Sequence, residues 1–193
     1  MNIGLTGTIG CGKSTAGRLL GERGIERIDC DEIVRELLVS DSQVLREIVD
    51  AFGTSVFAAD GSLNRKALGA IVFADRSRLA VLEEILHPRV SDRWQGRIRG
   101  EPDRHHVVEI PLLFEKNLQK WFDFTICVAC DRRTQLERLG RRGMTAEEAD
   151  QRIAAQLPLS RKIDLADCVL LNSGTLPFLS DQIDWLTQTR NLT

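Results

Sequence analysis

The chain has 193 residues, of which 42% are hydrophobic and 28% are charged, and its formal net charge is −2. This length and composition predict a globular protein with one sizeable hydrophobic core. The weak negative charge argues against a protein that binds along nucleic acid, so an anionic ligand has to be attracted by a local cluster of basic residues. Because the sequence holds no apolar stretch of membrane-spanning length, we expect a cytoplasmic protein with no membrane partner.

A glycine-rich motif follows the first apolar run of the chain. Residues Gly7 to Ser14 read GTIGCGKS and fill the pattern GxxxxGK[ST] directly after the run Ile3 to Thr6. In this pattern the loop N–H groups surround phosphate oxygens, the lysine adds a positive charge and the last hydroxyl binds Mg²⁺. A helical pattern closed by Gly24 comes next, and the positive end of such a helix points at the same phosphates. The motif therefore predicts a site for a nucleoside triphosphate.

Four further apolar runs predict buried strands, and helical patterns separate them. Runs that are apolar throughout and alternate with helices are typical of a parallel sheet covered on both faces. We therefore expect an α/β fold with three layers, α/β/α, and a five-stranded parallel sheet. The predicted strands after the first are Ile25 to Ile28, Val107 to Ile110, Thr125 to Val128 and Val169 to Leu171.

The long interval from about residue 31 to residue 103 shows helical periodicity without an obvious strand. Val44, Ile48 and Phe52, for example, share one helical face. We expect this interval to be a helical substrate-binding insertion within a single domain that covers residues 1–193.

A second helical region spans about residues 131–157. It consists of a basic helix, a break at Gly143 and a helix that begins with a capping box of Thr145 and Glu148. The arginines of such a hairpin can fold over a nucleotide as a lid during phosphoryl transfer. A solvated charged face explains the same pattern equally well.

Five cysteines are an odd number, which suits reduced thiols in a reducing compartment. Cys127 and Cys130 form a CxxC at the end of a predicted strand, where residues three apart point to opposite faces. No second CxxC completes a zinc site in the sequence. We therefore predict buried thiols here, with no metal or redox use of this CxxC.

A phosphate loop alone does not separate kinases from switches and motors. The sequence has no NKxD element of the kind guanine-specific switches carry, and the predicted third strand has a single Glu109 where motor ATPases have adjacent acidic residues. Together with the small size, the helical insertion and the arginine-rich hairpin, these features favour a small-molecule kinase. Such a kinase needs a carboxylate near the γ-phosphate to orient and deprotonate a hydroxyl. Asp31, just after the second predicted strand, is the candidate base. Its alternative role is to cap a helix over residues 32–38.

Further segments resemble the dephospho-CoA kinase family, which uses ATP to phosphorylate the 3′-hydroxyl of the adenylyl ribose of dephospho-CoA. The discriminating segments are His87-Pro88, Pro111 to Glu115 and Asn172-Ser173-Gly174, and together with the phosphate loop they run through almost the whole chain in the family's order. Without the resemblance, His87-Pro88 would be interpreted as a helix junction. Another small-molecule kinase, or a nucleotide-gated regulatory protein, is the alternative, and the phosphate acceptor distinguishes them.

The resemblance implies roles for individual residues. The implied catalytic residues are Asp31, Lys13, Arg138 and Arg142, the two arginines belonging to the lid. The implied ATP-binding residues are Gly10, Cys11, Gly12, Lys13, Ser14, Thr15 and, near the adenine, Asn172. Ser14 is also the implied ligand of Mg²⁺. The implied dephospho-CoA-binding residues are Thr6, Asp31, Arg65, His87, Arg89, Pro111, Leu112, Leu113 and Glu115. The expected partners are therefore the small molecules ATP and dephospho-CoA, with no nucleic acid.

The chain also departs from the family's usual pattern. Thr8 and Cys11 stand in the loop where the family has Gly and Ser, and Cys30 stands where it often has Ala. Glu109 replaces the usual Asp before Ile-Pro, close to the expected magnesium shell.

Overall fold

The computed structural model describes residues 1–192, except for the side chain of Phe73. Five strands form one sheet in the order β2-β3-β1-β4-β5, and every neighbouring pair is parallel. The strands are β1 (Asn2–Thr6), β2 (Glu26–Asp29), β3 (His106–Glu109), β4 (Phe124–Ala129) and β5 (Cys168–Leu171). Each overlaps one of the predicted apolar runs. The predicted α/β fold with a five-stranded parallel sheet is confirmed.

Helices separate the strands along the chain. They are α1 (Lys13–Gly21), α2 (Cys30–Ser40), α3 (Ser42–Phe52), α4 (Arg65–Ala74), α5 (Arg76–Gly100), α6 (Arg132–Arg141), α7 (Ala146–Ala154), α8 (Leu159–Leu165) and α9 (Leu176–Thr189). In the described part of the chain, no helix is long and apolar enough to span a bilayer. The chain divides into two compact units, of which one holds residues 1–29 and 101–192 and the other holds residues 30–100.

Both faces of the sheet are covered in the first unit. Alternate side chains of β1, such as Ile3 and Leu5, join the helices α1 and α9 in one apolar cluster. On the opposite face, a Cβ at Gly4 would lie 2.9 Å from the ring of Phe122 and 3.3 Å from the side chain of Leu113. The segment after β3 therefore packs directly on the central strand, and α8 packs on β4.

The second unit consists of α2 to α5, with an isolated bridge between Phe57 and Leu63 as its extended pairing. Helix α5 continues through Pro88, so the interpretation of His87-Pro88 as a helix junction is wrong. A proline inside a helix removes one hydrogen bond. In α5 the buried residues Leu86, Val90 and Trp94 hold the helix on both sides of the proline, and α2, α3 and α4 pack against it.

Two helix starts bear on the predicted site. Helix α2 begins at Cys30, directly after β2, so Asp31 lies inside its first turn. The alternative that Asp31 caps a helix starting at residue 32 is therefore wrong. In the other predicted helical region, Thr145 and Glu148 form both hydrogen bonds of a capping box at the start of α7, which confirms that prediction.

Candidate functional site

The turn between β1 and α1 has the backbone that the glycine-rich motif requires. Gly10 and Gly12 have φ angles of 83° and 93°, in the left-handed region that favours glycine. The N–H groups of Thr15 and Ala16 donate to the carbonyl of Gly12 at 3.1 Å, and α1 starts there. A Cβ at Gly12 would overlap the side-chain amide of Asn172. Glycine is therefore required at this position by both the backbone angle and the neighbouring side chain.

Lys13 and Ser14, two of the predicted site residues, lie at the start of α1. Lys13 Nζ donates to the carbonyl of Gly7 at 3.1 Å, so the ammonium group lies across the loop. Ser14 is exposed, and hydrogen bonding from its side chain lowers the pKa of the Glu109 carboxyl. A positive charge and a hydroxyl thus stand at the N-terminus of one helix, which is an arrangement suited to phosphate oxygens.

A buried acidic pair lies at the carboxyl ends of β2 and β3. Asp29 and Glu109 are paired in the sheet register and are 5% and 3% exposed. Arg27 Nε donates to Glu109 Oε1 at 2.5 Å, and its Nη2 donates to Asp29 Oδ2 at 2.7 Å. The pKa of the Glu109 carboxyl is raised overall, chiefly by burial. Arg27 and Ser14 oppose this shift, and the negative charge of Asp29 adds to it. The guanidinium of Arg27 therefore holds two carboxylates beside the hydroxyl of Ser14.

Arg27 is a member of this cluster that was not predicted from the sequence. Arg27 and Asp29 are two residues apart on one strand, so both point to the same face of the sheet. That spacing is a usable signal, although the pairing with Glu109 depends on which strand lies beside β2.

The donor atoms of this cluster fit a magnesium ion. Proteins commonly hold Mg²⁺ with one or two carboxylates together with phosphate oxygens and water. Ser14, Glu109 and Asp29 offer oxygen donors of that kind. Over the described residues, no group of three or more His, Cys, Asp or Glu side chains could hold a metal ion.

The basic helix α6 contacts the loop through Gln135 and Arg138. The amide of the buried Gln135 donates to Thr8 Oγ1 at 3.1 Å and to the carbonyl of Ile9 at 2.6 Å. Arg138 donates to the carbonyl of Cys11 at 3.4 Å. The structure therefore brings one of the two predicted lid arginines to the loop. The other, Arg142, is exposed and forms the C-terminal cap of α6.

Asn172, just after β5, also binds the loop. Its side-chain amide donates to the carbonyl of Cys11 at 2.8 Å, and its Oδ1 accepts from Arg138 at 3.4 Å. Asn172 is buried, and its hydrogen bond to the Cys11 carbonyl holds the backbone of the loop in place. The predicted proximity of Asn172 to the adenine stays a prediction.

The segment from Pro111 to Glu115 is anchored by a buried lysine that the sequence analysis missed. Lys162 on α8 is fully buried, and its Nζ lies 2.6 Å from the carbonyl of Pro111 and 2.8 Å from Glu115 Oε1. Thr6 donates to the same carbonyl at 3.3 Å. Glu115 also accepts a hydrogen bond from the backbone N–H of Leu157 at 2.8 Å. No local pattern around Lys162 indicates these contacts, because its partners lie about fifty residues earlier in the chain.

The remaining residues of this segment divide by burial. Leu113 is fully buried and packs beneath the sheet, so its side chain anchors the segment, whereas Pro111 and Leu112 are half-buried. Direct contact of the segment with a substrate stays a prediction.

Four predicted substrate residues belong to the unit of residues 30–100. Asp31, Arg65 and His87 are exposed, Asp31 in the first turn of α2 and Arg65 at the start of α4. Arg89 donates to Glu47 and to the carbonyl of Ile85, each at 2.6 Å. Their roles toward a substrate stay predictions.

Similarity to known proteins places the chain in one family. The family model described as dephospho-CoA kinase matches residues 1–177. A curated relative from Streptomyces avermitilis, named dephospho-CoA kinase, is 42% identical over 185 residues, which are 95% of this chain and 90% of the relative. The chain belongs to the dephospho-CoA kinase family. It is therefore an ATP-dependent kinase of dephospho-CoA in CoA biosynthesis, and the resemblance found in the sequence is confirmed.

Solved structures agree with this membership. The protein TT1252 from Thermus thermophilus is 32% identical, with a TM-score of 0.81 over 100% of this chain and 98% of that one. The dephospho-CoA kinase from Campylobacter jejuni is 25% identical, with a TM-score of 0.71 over 98% and 96% of the two chains. The fold of this dephospho-CoA kinase family member is thus the fold of its relatives throughout.

Proposed function

We propose that this kinase transfers the γ-phosphoryl group of ATP to the 3′-hydroxyl of the dephospho-CoA ribose, in the cytoplasm. The observation that carries the proposal is the grouping of the loop, Lys13, Ser14 and the Glu109 cluster at the carboxyl edge of the sheet. Open α/β sheets bind ligands at this edge. Membership of the family indicates dephospho-CoA as the phosphate acceptor, and the phosphate loop indicates where the donor, ATP, binds.

Each group at the loop has a role in this proposal. The loop N–H groups and Lys13 neutralise the charge of the transferring phosphoryl group. Ser14 and Glu109, together with Asp29, would hold Mg²⁺, and the ion would supply positive charge that offsets the negative charge of the phosphates. Arg138 and Arg142 add positive charge from α6. The residues proposed to bind dephospho-CoA are, besides Asp31, Thr6 and residues 111–115 of the first unit and Arg65, His87 and Arg89 of the second.

Asp31 is proposed as the base for the acceptor hydroxyl. It follows β2 by two residues, at the carboxyl edge where open α/β sheets bind ligands, and it is exposed. A positioned general base contributes about 10²–10⁴-fold to a rate.

The test incubates the purified chain with Mg²⁺-ATP and a panel of acceptors, and detects products by mass. We expect CoA from dephospho-CoA, with little product from nucleoside monophosphates or sugars. In the same assay Asp31→Asn should lower kcat at least about 100-fold with ATP affinity nearly unchanged.

Glu32→Gln is the matched control, because Glu32 is exposed in the same first turn of α2 and its neutralisation removes the same charge. Near-normal turnover in Glu32→Gln would assign the effect to the position of Asp31. Equal loss in both variants, or no CoA with intact ATP binding, would contradict the proposal.

A further inference from the structure

Two cysteines far apart in the chain meet at the phosphate loop. The sulfur of Cys11 lies 3.5 Å from the sulfur of Cys130, which directly follows β4. The parallel pairing of β1 with β4 aligns Thr6 with Cys127 and brings the two following turns together. Both cysteines are buried and neither is in a disulfide. Two reduced thiols that are 119 residues apart in sequence are therefore in contact beside the phosphate loop.

The surroundings of the two thiols make them chemically unequal. Hydrogen bonds from Cys130 and from Thr8, whose Oγ1 lies 3.0 Å from the sulfur, lower the pKa of Cys11 to about 6 against the opposing effect of burial, and the charge of Lys13 lowers it as well. The hydrogen bond to Cys11 and burial raise the pKa of Cys130. Because the thiolate is the reactive form, Cys11 is the nucleophile of the pair.

Two of the other three thiols, those of Cys127 and Cys168, lack this combination. Burial raises the pKa of Cys127 to about 12, and burial also raises the pKa of Cys168. A reactive thiolate with a second thiol in contact is the arrangement of a redox-sensitive cysteine and its resolving partner.

We propose that Cys11 and Cys130 form a reversible disulfide when the kinase meets hydrogen peroxide, and that this disulfide inactivates the phosphate loop. In the first step the Cys11 thiolate, whose proton has passed to the solvent, attacks one peroxide oxygen; the S–O bond of a sulfenic acid forms, the O–O bond breaks, and the hydroxide that leaves takes up a solvent proton to become water. In the second step the Cys130 sulfur attacks the sulfenic sulfur of Cys11, the S–S bond forms, the S–O bond breaks, and a second water leaves with the proton of Cys130. The two thiols lose two electrons, and peroxide is reduced to two water molecules.

A disulfide has to alter the loop. Its sulfurs are about 2.05 Å apart, whereas they are now 3.5 Å apart. Their approach removes Cys11 from Thr8 and displaces the Cys11 carbonyl, which Asn172 and Arg138 hold. A misplacement of about 1 Å can cost on the order of 100-fold in rate. This loss of activity rests on the proposed function, whereas formation of the disulfide does not.

The test treats the purified kinase with hydrogen peroxide and digests it with trypsin without reduction. Cleavage after Lys13, Lys120 and Arg132 leaves Cys11 in the peptide 1–13 and Cys130 in the peptide 121–132. We expect these peptides to be linked, two hydrogen atoms lighter than their sum, with fragmentation assigning the link to Cys130 and not to Cys127. The activity should fall at least about tenfold and return after dithiothreitol.

Two variants complete the test. Cys130→Ala should give no linked peptide, and its inactivation by peroxide should no longer be reversed by dithiothreitol, because a Cys11 sulfenic acid without a partner oxidises further. Cys168→Ala, which removes a cysteine away from the pair, should behave as the original chain. A link to Cys127, absence of any link at inactivating peroxide concentrations, or reversible inactivation of Cys130→Ala would overturn the proposal. If the untreated kinase makes no CoA, the proposed function fails, and the linked peptide still decides the disulfide.

Discussion

Gly17, in the middle of α1, leaves the space that the side chain of Glu109 occupies. A Cβ at this position would overlap Glu109 Oε1 and lie 3.2 Å from Arg27 Nε. Its φ angle is not in the left-handed region, so the requirement for glycine here comes from the close approach of β3 and not from the backbone. The position of the Glu109 carboxylate therefore depends on the absence of a side chain at Gly17.

We predict that Gly17→Ala lowers kcat on the order of 10-fold to 100-fold, because the added methyl group moves Glu109 away from Ser14. The helix itself should not suffer, since alanine is the better helix former. Steady-state kinetics at saturating dephospho-CoA, with a series of Mg²⁺ concentrations, measures the effect. The Mg²⁺ concentration needed for half-maximal rate should rise together with the fall in kcat.

Gly21→Ala is the control for this substitution. Gly21 ends the same helix, and a Cβ there would meet only Arg27 Cβ at 3.7 Å, which is an ordinary contact. This variant should keep its kinetics. Normal kinetics in Gly17→Ala would show that Glu109 has no part in catalysis, and equal losses in both variants would point to the helix and not to the carboxylate.

At the scale of elements, the short helix α8 contributes to two ion pairs, one buried and one exposed. Lys162 is fully buried with Glu115, whose side chain is 18% exposed, whereas Arg161 pairs with Asp164 at the surface. A buried pair is strongly destabilised when one partner is removed, because the other charge stays uncompensated. An exposed pair contributes little. Lys162 and Arg161 are adjacent in sequence, but we expect them to contribute very different amounts to the free energy of unfolding.

We predict that Lys162→Met destabilises the kinase by about 3 kcal/mol, whereas Arg161→Met changes its stability by less than about 0.5 kcal/mol. Urea unfolding followed by circular dichroism measures both. The double variant Lys162→Met, Glu115→Gln should regain part of the loss, since it leaves no unpaired charge. A double variant less stable than Lys162→Met alone would contradict this account of the ion pair.

The elements show why part of this molecule could be predicted from its sequence. Each strand, the loop from Gly7 to Ser14 and the capping box of α7 depend on residues within a few positions of one another, and these predictions are confirmed. Two local alternatives are wrong: Asp31 lies inside the first turn of α2 and does not cap a helix that starts at residue 32, and α5 continues through Pro88. Buried residues on both sides of Pro88 hold α5, and a local pattern does not show that packing.

The parts of the site that the sequence did not reveal depend on strand order. Arg27 meets Glu109 only because β2 lies beside β3, and Cys11 meets Cys130 only because β1 lies beside β4. Lys162 reaches Pro111 through the placement of α8 on β4. Local sequence patterns do not specify which strands and helices lie side by side, so these contacts between distant residues could not be predicted from a single sequence.

At the scale of the whole molecule, His106 links stability to pH. It opens β3, is 1% exposed, and neither ring nitrogen has a hydrogen-bond partner in the described part of the chain. Burial lowers the pKa of this imidazole; Glu26 and Glu101 oppose the shift, and the N-terminal ammonium and Arg104 add to it. The unfolded chain therefore takes up a proton at a higher pH than the folded chain does.

The sign of the effect follows from this difference. Between pH 7.5 and the lowered pKa of the folded state, the unfolded chain binds more protons, so the free energy of unfolding falls as the pH falls. We predict that His106→Leu flattens this dependence between pH 7.5 and 5.5, and raises stability at pH 7.5 by about 1 kcal/mol because two unpaired polar atoms are removed from the interior. Urea midpoints across the pH series measure both effects, and His87→Gln, which removes an exposed imidazole, is the control. A slope in His106→Leu as steep as that of the unchanged chain would assign the acid sensitivity to other groups.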